Sequence, residues 1–183
     1  LSAAAGGLGS LFIAHSLAKR AEGRGTYDVA DLCNGIIAGL VAVTAGCAVV
    51  EPWASLIIGL GGSVIYHVGS WILIYFRIDD AVSATPVHFG AGLWGLIAPG
   101  LFARPAHVRQ VYDCNHGGLF YDGDGRILAV NLIAALATTA WVVCTMGPFF
   151  YLLYWTNSLR VSMDKEIDGL DEDKHGGAAY AFD

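Results

Sequence analysis

Long apolar stretches, separated by short polar or turn-forming segments, dominate the pattern of residues along this chain. A helix needs about 20 mostly apolar residues to cross the hydrocarbon core of a membrane, and each stretch is close to that length or longer. The pattern therefore predicts an all-α fold, a polytopic membrane helix bundle. The predicted spans cover about 1–18, 29–50, 53–76, 82–103 and 127–155.

Charged residues and turn formers mark the ends of these spans. The second and third spans are separated by Glu51 and Pro52, because proline suits the first turn of a helix. Residues 104–126 contain several Asp-Gly and Gly-Gly pairs and are predicted to form a loop. The chain thus divides into a predicted transmembrane domain, 1–155, and a polar, acidic tail, 156–183.

The composition, with 55% hydrophobic and 14% charged residues, supports a membrane protein and argues against several other classes. The net charge of −6 gathers in the tail and one loop, so no nucleic-acid partner is expected. Cys114, His107 and His116 share one loop, but their irregular spacing predicts no metal site, and no cofactor is expected. The chain contains no HExxH or GxSxG motif, so an intramembrane enzyme is not predicted.

Lysine and arginine residues are divided unevenly between alternate loops. Segments 19–28 and 77–81 and the tail hold three, one and three of them, whereas the loop 104–126 holds three. Loops that are rich in basic residues stay in the cytoplasm. The count of seven against three predicts a cytoplasmic C-terminus.

His88 is an ionisable residue at membrane depth, within the uncharged stretch 81–103. Such residues are functional by default, because they need a polar partner or a water-filled cavity. The alternative is a neutral imidazole that bonds a backbone carbonyl and joins two helices. Three glycines follow it at a spacing that allows helices to approach closely: Gly90, Gly92 and Gly95.

Other polar residues in or near the spans have candidate roles as well. His67 lies midway along the third span and is expected to make a hydrogen bond that packs helices. Asp79 and Asp80 are expected to cap the fourth helix, with a proton-exit role as the weaker alternative. Asp31 and Asn34 lie near the start of the second span, either fixing contacts with a loop or the tail or forming an ordinary interface pair.

Motifs on successive segments resemble the second half of an ammonium transporter of the Amt/Mep/Rh family, and the resemblance is closest to the plant and algal type. They occur in one order along nearly the whole chain, which makes the match specific. The motifs are Asp31-Leu-Cys-Asn-Gly35, Val43-Thr-Ala-Gly-Cys-Ala-Val-Val-Glu-Pro-Trp-Ala54, Ile78-Asp-Asp80, Val87-His88, Gly92-Leu-Trp-Gly95 and the tail segment from Gly169 to Tyr180.

The resemblance implies that the spans are helices seven to eleven of an eleven-helix subunit built from two inverted repeats. It also implies a homotrimer in the membrane lipid, with one pore in each subunit and a plasma-membrane location. His88 matches one of the two pore histidines of the family, and the other belongs to the fifth helix. The tail residues that match the regulatory cytoplasmic motif are Gly169, Asp171, His175, Gly176 and Tyr180.

By this resemblance, the function expected is transport of ammonium or ammonia through an apolar pore with a histidine relay. The present chain would be a C-terminal fragment of such a transporter. The alternative is a nonconducting ammonium sensor or regulatory subunit with the same fold. The histidine of the fifth helix would discriminate between these two functions.

Overall fold

Helices account for nearly all of the regular structure in the computed structural model, which describes residues 1–121, 123, 125–170 and 177. A π-helical turn, Thr85–Gly90, leads directly into α4. In the described part of the chain, the extended pairing consists of one isolated bridge between Val50 and Ala103. The predicted all-α fold class is therefore confirmed. The helices are α1 (Ser2–Glu22), α2 (Val29–Thr44), α3 (Pro52–Tyr75), α4 (Ala91–Phe102), α5 (Pro105–Tyr112), α6 (Arg126–Trp155) and α7 (Met163–Asp168).

The helix ends differ from the predicted spans where local backbone geometry intervenes. α1 continues to Glu22 and is followed by Gly23, whose φ of 74° provides a left-handed cap. α2 ends at Thr44 and not near 50, because the chain turns at 45–49 to bring Val50 alongside Ala103. Among the described helices, α3 and α6 are long and apolar enough to cross a membrane, and α2 is apolar but shorter.

The predicted loop 104–126 contains a short helix that the sequence pattern did not reveal. α5 begins at Pro105, a residue that suits the first helical turn, and ends at Tyr112, before Asp113, which has a left-handed φ of 51°. It has eight residues, and the loop prediction rested on the turn-forming pairs that follow it. Backbone hydrogen bonds then attach the rest of the loop, with Gly118 donating to the Ala103 carbonyl at 2.7 Å.

Residues Leu1–Leu136 form one compact unit. In it, α2 contacts α1, α3 and α4. The fully buried side chains between these helices are mostly small, which allows the helix backbones to approach closely. They include Ala38 and Ala42 of α2, Ala54 and Ile58 of α3, and Ala91 and Ala98 of α4.

Gly95 marks the close approach of α4 to α2. A Cβ atom added to Gly95 would lie 2.9 Å from the Ala42 carbonyl oxygen, whereas one added to Gly92 would have 3.8 Å to its nearest neighbour, Val41. We expect Gly95→Ala to lower stability by about 1 to 3 kcal/mol, because backbone atoms must move to make room. The thermal unfolding midpoint in detergent measures this effect, with Gly92→Ala as the control. Equal midpoints for the two variants would contradict the prediction.

Residues Ala137–Asp183 form the second compact unit. After α6, Arg160 donates to the Glu166 carboxylate at 2.6 Å, and Glu166 belongs to α7. Gly169 follows α7 with a φ of 86°, a conformation that favours glycine. The other predicted tail residues, Asp171, His175, Gly176 and Tyr180, lie outside the described residues.

Candidate functional site

His88 lies in the π-helical turn Thr85–Gly90, and its side chain is exposed on the surface of the first unit. Its imidazole makes no hydrogen bond to another residue in the part of the chain that the structure describes. Within this part of the chain, His88 therefore does not join two helices by a hydrogen bond. The π turn adds one residue to the helical turn, and such turns occur frequently at functional sites.

Asp80 holds the start of the turn that carries His88. Its carboxylate accepts the backbone N–H groups of Ala84 and Thr85, both at 2.8 Å. Partial burial raises the pKa of Asp80, but the hydrogen bonds from Thr85 and Ala84 outweigh it, so the pKa lies below its usual value. Asp80 thus stays ionised near neutral pH and satisfies backbone donors that the helix itself leaves unpaired.

Asp31 and Asn34 meet Tyr66 where α2 packs against α3. The Tyr66 hydroxyl donates to the Asp31 carboxylate at 2.9 Å, and the Asn34 side-chain amide donates to the same hydroxyl at 3.3 Å. Tyr66 is only 5% exposed, so its hydroxyl needs these partners. The two polar residues of α2 were apparent from the sequence, whereas the tyrosine that joins them to α3 was not.

His67 faces α1, where it contacts Ser10. Its Nε2 atom lies 2.9 Å from the Ser10 hydroxyl oxygen and 3.2 Å from the Ser10 carbonyl oxygen. The Ser10 hydroxyl proton is already donated to the Asp31 carbonyl at 2.7 Å. Both Ser10 oxygens therefore act as acceptors, which assigns the proton to Nε2 of His67. His67 thus joins α3 to α1, and none of these hydrogen bonds reaches His88.

The Glu51 cluster, formed by Glu51, Trp53, Arg104 and Tyr121, lies at the end of the bundle where α3 begins. The Glu51 carboxylate accepts from the Tyr121 hydroxyl at 2.7 Å, from Trp53 Nε1 at 2.9 Å and from the Arg104 guanidinium. These bonds, led by that of Tyr121, hold the pKa of Glu51 below its usual value despite some burial. The Glu51-Pro52-Trp53 motif was the available signal, but it gave no indication of Tyr121 as a partner.

The Glu51 cluster predicts a defined response to acid. Because the pKa of Glu51 is lowered in the folded protein, its stabilising contribution is present at neutral pH and is lost as pH falls through that pKa. We expect the difference in unfolding midpoint between wild type and Glu51→Gln to be constant from pH 7 to about 5. It should shrink only below the usual glutamate value of about 4.3.

Glu166→Gln is the matched control for this experiment, because the Glu166 carboxylate is bonded only to the exposed Arg160 in the interactions described. We expect its midpoint to stay close to that of wild type across the same pH range. A wild-type advantage over Glu51→Gln that already disappears between pH 7 and 5 would contradict the lowered pKa of Glu51.

Within the described residues, no group of three histidine, cysteine or acidic side chains is placed to hold a metal ion. His116, one of the two loop histidines, accepts a hydrogen bond at Nε2 from the Arg126 guanidinium at 3.2 Å. The four cysteines of the chain are free thiols. The candidate site is thus the exposed His88 turn.

Comparison with known proteins places this arrangement of helices in a family. A family model described as the Ammonium Transporter Family matches residues 1–180. The chain belongs to the ammonium transporter family. Among its relatives, Ammonium transporter 1 member 2 of Arabidopsis thaliana is 43% identical over 166 residues, covering 86% of this chain and 31% of that protein.

Solved structures of ammonium transporter relatives have the same fold. The crystal structure of Saccharomyces cerevisiae Mep2 matches with a TM-score of 0.72 and 26% identity, over 82% of this chain and 33% of that one. A structure titled Sensor Amt Protein matches with a TM-score of 0.74 and 26% identity, over 97% of this chain and 40% of that one. The predicted family and its helical membrane bundle are confirmed.

The family assignment bears on two further predictions. The curated relatives are named as ammonium transporters and not as enzymes, in agreement with the prediction. Ammonium transporters are multi-pass membrane proteins, as predicted here from the apolar stretches. The chain spans about a third of the length of the curated relatives that it matches.

Proposed function

We propose that this chain forms one side of a pore that conducts ammonium or ammonia across a membrane, with His88 in the pore wall. The observation that carries the proposal is the state of His88. It lies in an uncharged apolar segment, in a π turn held by Asp80, and its side chain is exposed without a partner in the described part of the chain. A polar group at membrane depth needs a partner, and a molecule passing through a pore supplies one.

The chemistry of ammonium suits a neutral imidazole in an apolar pore. The ammonium ion is strongly hydrated and costs much free energy to move into a low-dielectric environment, whereas neutral ammonia needs only its hydrogen bonds satisfied. The two ring nitrogens of His88 offer one donor and one acceptor to such a molecule. An imidazole can also accept a proton at one nitrogen and release one from the other, so a histidine relay belongs to the proposal.

Two further parts of the proposal concern the rest of the protein. The chain corresponds to about a third of the length of curated transporters, and the described helices leave one face of the His88 turn uncovered. We therefore propose that this chain is the C-terminal part of a longer subunit whose remaining helices complete the pore. By analogy with the family, that subunit forms a homotrimer in the plasma membrane, and the tail contributes to regulation.

A nonconducting sensor with the same fold is the competing function. The structure titled Sensor Amt Protein shares 26% identity with this chain. Curated relatives named as transporters reach 43%. The identities therefore support transport over sensing.

The experiment is a measurement of ammonium-evoked current from the full-length protein, expressed in cells that lack ammonium transporters of their own. A conducting protein gives a current that saturates with ammonium concentration and is absent from cells that do not express the protein. Ammonium binding without current, in protein shown to be at the cell surface, would instead support the sensor.

The proposed orientation has a separate test. If the C-terminus is cytoplasmic, a cysteine introduced at the exposed Ser158 resists membrane-impermeant thiol reagents in intact cells and reacts after the cells are opened. The other cysteines are first replaced, because three of the four are exposed in this structure. Reaction of the Ser158→Cys variant in intact cells would reverse the proposed topology.

A further inference from the structure

Three residues of α3, spaced four positions apart, contact three residues of the His88 turn and α4 that have the same spacing. Residues at this spacing lie on one side of a helix. The pairs run in opposite directions along the chain, so the two faces pack antiparallel over about two helical turns. The pairs are Gly61 with Trp94, Ile65 with Gly90, and Gly69 with Pro86.

The two contacts made by the turn itself are tight and lie on either side of His88. A Cβ atom added to Gly69 would lie 2.9 Å from Cβ of Pro86, and one added to Gly90 would lie 3.0 Å from Cγ2 of Ile65. His88 lies midway between the two contacted positions of the turn, and two residues correspond to about half a helical turn. The packing therefore directs His88 away from α3, in agreement with its exposed side chain.

Trp94 makes the third contact, which includes a hydrogen bond. Its indole Nε1 donates to the carbonyl oxygen of the buried Ile58 at 3.0 Å. An indole N–H in apolar surroundings needs such an acceptor, and a helical carbonyl has a second lone pair to offer. A Cβ atom added to Gly61 would lie 2.6 Å from the same Nε1 atom. The hydrogen bond and the space left by Gly61 therefore hold the indole, and with it α4, at one rotation about the helix axis.

We propose that Trp94 is a positioning residue for His88. The His88 turn leads into α4 without a break, so an indole fixed against α3 also fixes the direction in which the imidazole leaves the turn. This inference rests on the proposed pore role of His88. Trp94 acts through the orientation of the helix and does not contact the conducted molecule, because its indole N–H is directed to α3.

The first test compares Trp94→Phe with Trp71→Phe in the full-length protein. Both variants lose one indole N–H, but Trp71 is 64% exposed on α3 and its described ring contact is with Tyr75. Phenylalanine keeps an aromatic ring at position 94, and the Ile58 carbonyl keeps its helical hydrogen bond, so both variants should fold. We expect the ratio of methylammonium to ammonium current, at matched surface expression, to change by at least about twofold in Trp94→Phe. It should stay constant in Trp71→Phe, because only the first displaces His88.

The second test displaces the indole from the α3 side. The methyl group of Gly61→Ala meets the indole of Trp94, so the current ratio should again change by at least about twofold. Gly62→Ala is the control, because a Cβ atom there would lie 2.9 Å from the Ala38 carbonyl oxygen of α2 and not against α4. It should lower the thermal unfolding midpoint and leave the ratio constant. The double variant Gly61→Ala/Trp94→Phe should change the ratio by less than the product of the two single changes, because both act through one contact.

The outcomes separate this inference from the pore role of His88. If Trp94→Phe and Gly61→Ala match their controls in current ratio while His88→Asn removes the current, positioning by Trp94 is wrong and the pore role stands. A ratio in Gly62→Ala that changes as much as in Gly61→Ala would also overturn positioning, because any disturbance of α3 would then be sufficient. If His88→Asn conducts normally, the pore role fails, and the positioning role fails with it.

Discussion

His88→Asn in the full-length protein is expected to abolish or strongly alter the proton-coupled part of the ammonium current while the protein still folds and reaches the membrane. The amide of asparagine can donate and accept hydrogen bonds as the neutral imidazole does, but it does not titrate near neutral pH. His88 is exposed and bonds no other side chain in the described residues, so its replacement removes no hydrogen bond, ion pair or ring contact there. The measurement is ammonium-evoked current at matched surface expression.

His67→Asn is the matched control, because it makes the same substitution at another histidine of the membrane domain. His67 bonds Ser10 of α1, so its loss should cost about 1 to 2 kcal/mol of helix packing and leave the ion preference of the current unchanged. Normal current and selectivity in His88→Asn would refute the relay. A change of selectivity in His67→Asn would show that the control histidine also belongs to the pathway.

The second large effect is complete loss of conduction when the 183-residue chain is expressed alone. A pore needs a wall on every side, and the described part of this chain leaves the side chain of His88 exposed. In a membrane, an imidazole that faces lipid without a partner also costs about a few kcal/mol. Ammonium-evoked current is compared for the chain alone and for the full-length protein.

Co-expression provides the control for this loss. The chain expressed together with the remaining part of the full-length protein should recover current, provided that the two parts assemble in the membrane. Equal amounts of inserted chain in both experiments exclude poor expression as the cause. Ammonium current from the chain alone would contradict both the open pore wall and the proposal that further helices complete it.

The sequence was sufficient to predict the helices and the family. Apolar stretches close to 20 residues long can satisfy their backbone groups in a membrane only as helices, so the locations of α3 and α6 followed from local composition. The ordered motifs around Asp31, Glu51 and His88 predicted the family, which the match over residues 1–180 confirmed. The candidate pore residue was also apparent, because a histidine in an uncharged apolar stretch is rare.

The tertiary structure alone decided which polar residues meet. His67 and Ser10 are separated by 57 positions, and Glu51 and Tyr121 by 70, so no local pattern predicted these hydrogen bonds. The π turn at His88 likewise depends on the left-handed Ser83 and on contacts with α3, which overrode the regular helix expected from 82 onwards. Local composition determines where helices form, whereas the geometry of each polar group depends on residues brought together only by folding.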